Sequence, residues 1–266
     1  MNPWNQTQTG KAFDLVAPTA DMVDPLDIAV RLARANRFCG SELRISVAQH
    51  SVLAAAAAWR SASWAGYWAP SLAGPVRRAR LLALHDAAET YIGDVFGPTR
   101  RWLTNMTRTL VAEYADSRAV MKTPPAIYDL FGVLEDRILG VIYAACGVTD
   151  TPTADEQRFI KEYDQRQLAF EKTWFVQTPE PQPWWPGKPP EPFTLTDYGA
   201  NLDSHRGLRV AKLVTETWSE ETAAGMYLAL LNRLGLLAGV DRWRALGRVS
   251  VNDYEAIDLL FSDERA

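Results

Sequence analysis

Apolar residues recur at the three- and four-residue spacing of amphipathic helices along most of the chain. Asp24 and Pro25 predict the start of the first helix, as an N-cap followed by proline at the first helical position, and Gly40 predicts its end. Ser46 and Gln49 have capping-box spacing and predict the start of a second helix. Further helices are predicted over residues 77–92, from 98, over 125–146, over 154–175 and beyond 206. The pattern therefore predicts an all-α protein.

Helical periodicity stops between residues 177 and 192, where seven prolines occur. Proline removes a backbone donor and favours extended chain, so no helix is expected there. Trp184 and Trp185 lie in the same run and predict that it packs onto the protein. The chain is accordingly divided into a domain over 1–176, a Pro/Trp-rich connecting segment over 177–205 and a C-terminal helical extension over 206–266.

Composition narrows the class of protein. The chain has 47% hydrophobic and 23% charged residues, which is typical of a globular core. A net charge of -4 and a pI near 5.5 argue against binding along nucleic acid. The sequence shows no signal peptide and no apolar stretch long enough to span a membrane. Cys39 and Cys146 stand far apart in the sequence, as expected for reduced thiols, so we expect a cytoplasmic protein. Its expected partner is a small molecule, and homo-oligomerisation is left open.

Histidine is scarce and suggestively placed. Only three occur: His50, His85 and His205. His85 is followed directly by Asp86, and His205 is expected in a surface loop. Burying His85 and Asp86 inside an apolar helix is costly unless something satisfies both side chains. A divalent metal would do so, since imidazole and carboxylate suit ions that keep open positions. An exposed pair without a ligand is the alternative.

Two acids follow the His-Asp pair. Glu89 shares a helix face with His85 and Asp86, at spacings of four and three residues. It could act on a ligand bound there or be an ordinary solvated acid. Asp94 follows Gly93, the expected end of this helix, and could equally satisfy backbone groups of a loop.

A later carboxylate offers two candidates. Asp164 lies on the apolar stripe that also contains Ile160 and Leu168, and an acid in such a stripe requires a partner. Asp136 lies beside Arg137 and is more easily explained as an exposed acid. The pattern favours Asp164.

Two arginines open the helix predicted from Pro98. Arg100 and Arg101 would lie in its first turn, where the helix dipole disfavours cations. An anion bound at that helix start would reverse the penalty. Exposed arginines at a small cost are the alternative. Arg37, near the end of the first helix, suits the dipole and by itself indicates no function.

Taken together and in this order, these residues resemble the HD-domain phosphohydrolases, in the 5′-deoxynucleotidase-like branch that includes viral dATP triphosphohydrolases. The resemblance covers about residues 10–175. Each motif alone is weak, whereas their combination is specific. The matching stretches are residues 10–14, 27–29, 37–38, 46–51, 85–89, 93–94, 98–100 and 160–164.

The resemblance implies an HD-domain helical bundle with one divalent ion, which could be Zn, Co, Mn or Mg. The implied metal ligands are His50, His85, Asp86 and Asp164. Glu89 would position the attacking water, Asp94 would support the site, and Arg37 and Arg100 would bind substrate phosphate. The sequence departs from the family at Phe38, where tryptophan is usual, and at Arg100, where lysine is common. Residues 206–266 have no counterpart.

The expected function is metal-dependent hydrolysis of a nucleotide, in particular a deoxyribonucleotide. The products would be a deoxynucleoside with either phosphate or triphosphate. One alternative is a non-catalytic HD-fold module that binds a nucleotide or a partner. Another is an HD hydrolase of guanosine polyphosphates or cyclic nucleotides.

Overall fold

The computed structural model describes residues 3–38, 43–64, 74–95, 97–118, 129–176, 189–237 and 245–262. These residues are mostly helical, as the apolar periodicity predicts. The α-helices, numbered in chain order, are α1 (Pro25–Arg34), α2 (Val47–Trp64), α3 (Pro75–Leu84), α4 (Glu89–Ile92), α5 (Gly97–Arg118), α6 (Leu130–Ala145), α7 (Ala154–Phe175), α8 (His205–Thr215), α9 (Glu220–Arg233) and α10 (Val251–Phe261). Short 3₁₀ helices cover Ala20–Met22 and Leu195–Tyr198.

A small hairpin at the N-terminal end departs from the all-α prediction. Strands β1 (Trp4–Gln6) and β2 (Ala12–Asp14) pair antiparallel, with Trp4 opposite Asp14. Three residues per strand are too few to show an alternating pattern in the sequence, which is why the hairpin was missed.

Helix α1 starts as predicted but ends earlier. The Asp24 carboxylate accepts a hydrogen bond from the Leu26 amide at 2.9 Å, and Pro25 is the first helical residue. The helix stops at Arg34 rather than near Gly40, because the chain beyond it pairs with the segment that leads into α2. The Arg37 amide donates to the Ile45 carbonyl at 2.9 Å. This pairing places Arg37 beside the start of α2.

The helix predicted over residues 77–92 is broken at the His-Asp pair. Helix α3 ends at Leu84, residues 85–88 form a turn, and α4 follows. The amides of Ala87 and Glu89 donate to carbonyls three residues earlier, which is the tighter 3₁₀ pattern. Gly93, at φ 79°, ends α4 as predicted. His85 and Asp86 therefore lie in a turn rather than inside a helix.

Helix α2 is buried on every side over residues 47–58. Alanines 54–58 are all at most 1% exposed, and α1, α3, α7 and α9 pack around them. Small side chains on all faces let the neighbouring helices approach closely. The core therefore surrounds the helix that carries His50.

The C-terminal helices belong to the same core. Residues 228–231 of α9 are fully buried, and α9 packs on α1, α2 and α10. Gln49 ties this region to α2: its Nε2 donates to the Glu216 carbonyl at 2.8 Å, and its Oε1 accepts from the Trp218 amide at 3.1 Å. The capping box predicted at Ser46 is therefore half formed, since Ser46 caps the Gln49 amide while the Gln49 side chain binds elsewhere.

Some predicted features lie outside the described residues. They are Cys39, the start of the helix at 125, and residues 177–188 of the Pro/Trp-rich segment, with Trp184 and Trp185. The three-part division of the chain stays a prediction.

His205 is exposed, as expected, although it is the first residue of α8 and not part of a loop. Among the described helices, none is both long and apolar enough to cross a membrane.

Gly207 tests the packing of α8. A Cβ at this position would lie 1.7 Å from the Asn201 carbonyl oxygen, whereas a Cβ at Gly140, inside α6, would meet no atom within 4 Å. We expect Gly207→Ala to lower the free energy of unfolding by about 1–3 kcal/mol, because overpacking displaces backbone. Gly140→Ala is the matched control and should raise it by about 1 kcal/mol, through helix propensity. Urea denaturation measures both, and equal effects would contradict this packing.

Candidate metal centre

Four side chains from three places in the fold converge on one point. His50 comes from the second turn of α2, His85 and Asp86 from the turn after α3, and Asp164 from the middle of α7. Their potential ligand atoms all lie within 4.8 Å of one another. The group brings together the four residues that the resemblance implies as metal ligands.

The individual distances suit a shared ion. His50 Nε2 lies 3.2 Å from His85 Nε2, 3.1 Å from Asp164 Oδ1 and 3.7 Å from Asp86 Oδ2. His85 Nε2 lies 3.2 Å from Asp86 Oδ2 and 3.8 Å from Asp164 Oδ1. Ligands bonded at about 2.1 Å to one ion are separated by roughly 3.0–3.4 Å in octahedral or tetrahedral geometry. The donor set and its spacing therefore fit a divalent metal.

The two candidates for the later carboxylate are placed differently. Asp164 faces both histidines, and about a third of its side chain is exposed. Asp136 is exposed on α6 and is not part of the cluster. His50, in contrast, is completely buried. The cluster is thus sealed at α2 and reaches solvent on the side of Asp164.

Arg37 lies against this cluster. Its Nη1 is 3.2 Å from Asp86 Oδ2, and its Nη2 is 3.9 Å from Asp164 Oδ1. Burial disfavours the guanidinium charge, but the neighbouring carboxylates outweigh this effect and raise the pKa of Arg37. Phe38, the next residue, has φ 61°, a left-handed conformation that is uncommon for a bulky side chain.

Glu89 and Asp94 border the cluster. Glu89 Oε2 is buried and has no hydrogen-bond partner among the residues that the structure describes. Burial, together with the charges of Asp86 and Asp94, raises the pKa of Glu89 well above its usual value. Burial and Asp86 likewise raise the pKa of Asp94. Both acids are thus close enough to the cluster to be affected electrostatically by it.

Arg100 has different partners. It lies in the first turns of α5, as predicted, and its guanidinium contacts Asp129 Oδ2 at 3.0 Å and Glu135 Oε2 at 2.7 Å. These two carboxylates belong to the start of α6. They supply the negative charge that was expected from a bound anion. A role for Arg100 in binding phosphate therefore stays a prediction.

Sequence reasoning missed Glu171, which is completely buried in α7. Its Oε1 lies 2.7 Å from His50 Nδ1, and its Oε2 lies 3.4 Å from Arg37 Nε. The available signal was spacing, since Glu171 follows Asp164 by seven residues, or two helical turns, and so lies on the same side of the helix. The predicted stripe contains Ile160, Asp164 and Leu168 but not Glu171.

Opposite charges shift the ionisation of the cluster residues. Burial disfavours charged histidine, yet Glu171 and Asp164 raise the pKa of His50, and Asp86 and Asp164 raise that of His85. Burial would raise the pKa of Asp86, but His85, His50 and Arg37 lower it to about 2. In the same way, the two histidines lower the pKa of Asp164 despite its burial. Without a metal, the histidines therefore hold protons more tightly than usual.

Fold and cluster together define the class: a mostly helical protein with a buried His/Asp group that could hold a metal ion. The chain matches no protein-family model and no curated protein.

Asp164 and Asp136 provide a matched pair of variants. We expect Asp164→Ala to abolish binding of a divalent ion, because it removes an anionic ligand from the cluster. Asp136→Ala should bind the ion like the wild type, because Asp136 is exposed on α6. Metal analysis of the purified proteins, followed by titration with Zn²⁺ or Mn²⁺, measures both. The reverse pattern would place the site on α6.

Metal affinity should depend on pH with a defined sign. An ion binds neutral imidazole, whereas the metal-free cluster raises the pKa of His50 and His85. Protons therefore compete with the metal at and above about pH 6.5, the ordinary histidine pKa. Affinity should rise with pH and level off above the pKa values of the folded protein.

Chelator-competition titrations at several pH values measure this dependence. His205→Ala is the control and should show the wild-type profile, because His205 is exposed at the start of α8. An affinity that stays constant from about pH 6 to about pH 8 would contradict ligation by these histidines.

Proposed function

We propose that this protein is a metal-dependent phosphohydrolase that acts on nucleotides. The observation that carries the proposal is the cluster of His50, His85, Asp86 and Asp164, with a buried acid, Glu89, beside it. A divalent ion held by these residues would polarise a phosphate oxygen and lower the pKa of water. Two neutral and two anionic ligands match the charge of such an ion and leave positions open for substrate.

Glu89 is proposed to hold and deprotonate the attacking water. Its Oε2 is buried and no described residue hydrogen-bonds to it, so it is available to accept a hydrogen bond from water. Its raised pKa makes the ionised carboxylate a stronger base than an exposed glutamate. Asp94 contributes to this shift through its own charge.

Arg37 is proposed to bind the substrate phosphate. Its guanidinium is tightly surrounded by the carboxylates of the cluster and keeps its charge. Once a divalent ion shares those carboxylates, the guanidinium can turn part of its donor set towards an anionic substrate. Arg100 is the second proposed phosphate ligand, and it would have to leave Asp129 or Glu135 to act.

The nature of the substrate rests on the sequence resemblance. The order of motifs over residues 10–164 supports a deoxyribonucleotide, split into a deoxynucleoside and either phosphate or triphosphate. The test is a screen for release of phosphate and triphosphate from dNMPs, dNTPs and NTPs in the presence of Mg²⁺, Mn²⁺, Co²⁺ or Zn²⁺. Metal binding without release of either product would favour a binding module instead.

The Glu89→Gln variant separates binding from chemistry. It should retain the metal but lower kcat by at least about 10²-fold, because it removes the proposed base while keeping the size of the side chain. Glu162→Gln is the control, since Glu162 is exposed on α7 and should not affect kcat. Steady-state kinetics and metal analysis are made on the same preparations. A wild-type kcat for Glu89→Gln would show that Glu89 does not activate water.

A further inference from the structure

The hydrolytic proposal gives no role to Glu171, although this acid lies against one of the proposed metal ligands. Glu171 is completely buried in α7, among side chains that belong to the metal centre. A buried carboxylate is costly unless several partners satisfy it. Its partners therefore indicate what it does.

Glu171 contacts three side chains. Its Oε1 lies 2.7 Å from His50 Nδ1 and accepts a hydrogen bond from Gln167 Nε2 at 2.9 Å. Its Oε2 lies 3.4 Å from Arg37 Nε, an ion pair that is not a hydrogen bond. Glu171 thus touches one proposed metal ligand and the proposed phosphate ligand at the same time.

The contact with His50 determines which ring nitrogen is free. Nε2 of His50 faces the Asp164 carboxylate at 3.1 Å, so once an ion shares that carboxylate, the single proton of the neutral imidazole is held at Nδ1 by Glu171. The lone pair of Nε2 is then directed to the place where Asp164 and His85 meet. His85 is oriented alike, because its Nδ1 lies 2.7 Å from the Leu82 carbonyl oxygen. A carboxylate partner also makes His50 a more basic ligand than a carbonyl partner would.

A second buried pair keeps Glu171 in place. Gln167 is completely buried, and its Oε1 accepts a hydrogen bond from the hydroxyl of Tyr198, which is also completely buried. Because this bond fixes the amide oxygen, the amide nitrogen of Gln167 must point to Glu171. Tyr198 belongs to the 3₁₀ helix Leu195–Tyr198, so the network joins that segment to the metal centre.

We propose that Glu171 is a positioning residue of the metal centre. It fixes the Nδ1-protonated tautomer of His50 and pairs with the charge of Arg37, and Gln167 and Tyr198 fix Glu171 in turn. This inference rests on the metal-binding part of the proposed function and does not depend on the substrate.

Metal affinity is the first test. Glu171→Gln keeps the shape of the side chain but removes its charge, and we expect it to weaken Zn²⁺ binding by about 10–100-fold, as measured by competition with a chromophoric chelator. Glu156→Gln is the matched control. Glu156 is also a buried acid of α7, but it pairs with Arg77 and caps its own helix, so its loss should leave the affinity unchanged.

The tautomer of His50 is the second test and requires no metal. Nitrogen NMR of the imidazoles at mildly alkaline pH should show Nδ1 of His50 fully protonated in the wild type, whatever the state of Nε2 beside Asp164, and only partly protonated in Glu171→Gln. If Glu171→Gln does not fold, Tyr198→Phe takes its place. Tyr198→Phe frees the Gln167 amide to rotate and should weaken Zn²⁺ binding by roughly 2–10-fold.

The outcomes separate the two proposals. A wild-type protein that binds Zn²⁺, with unchanged affinity and an unchanged His50 tautomer in Glu171→Gln, would overturn the positioning role alone. A wild-type protein that binds no divalent ion would overturn the proposed function. In that case a changed tautomer in Glu171→Gln would still support the contact between Glu171 and His50.

Discussion

Neutralisation of buried charge is the constraint on which this structure depends. Asp86, Asp164 and Glu171 come together in a helical protein, with Glu171 completely buried and Asp164 partly exposed, and each contacts both Arg37 and an imidazole. Removing such carboxylates from water is costly unless opposite charges and hydrogen bonds compensate. The compensation requires α2, α7, the turn after α3 and the segment after α1 to meet at one point. The contacts that neutralise these charges therefore also determine how the elements are placed relative to one another.

Much of this arrangement could be predicted from local signals in the sequence. Asp24, Pro25 and Gly93 determine the ends of their helices through effects that reach only a few residues, and the structure confirms each of them. Asp164 and the His85-Asp86 pair could be chosen because polar side chains among apolar residues need partners, whereas the full set of four, with His50, is what the resemblance to HD-domain phosphohydrolases implies. Asp164 and Asp136 could be distinguished by the same argument, since only one of them lies on a stripe that faces the core.

What could not be predicted depends on contacts between distant parts of the chain. The first helix ends early because the amide of residue 37 pairs with the carbonyl of residue 45, and no local signal at Arg34 indicates this. The break at residues 85–88 follows no proline or glycine, so the pattern favoured a continuous helix. Glu171 looks like an ordinary helix acid until its partners His50 and Gln167, one of them 121 residues away, are known.

Helix α2 has an uncommon property that follows from its alanines. Alanines 54–58 lie on every face of the helix, so the surface that this stretch offers to neighbouring helices changes little when the helix is rotated about its axis. Packing alone would therefore tolerate several orientations. Gln49 and His50 remove this ambiguity, because each has specific partners and a rotation of about 100° would leave buried polar groups unpaired. The polar residues at the start of α2 therefore determine its rotation about its own axis. His50, a residue of the metal centre, thus also determines how the core packs around this helix.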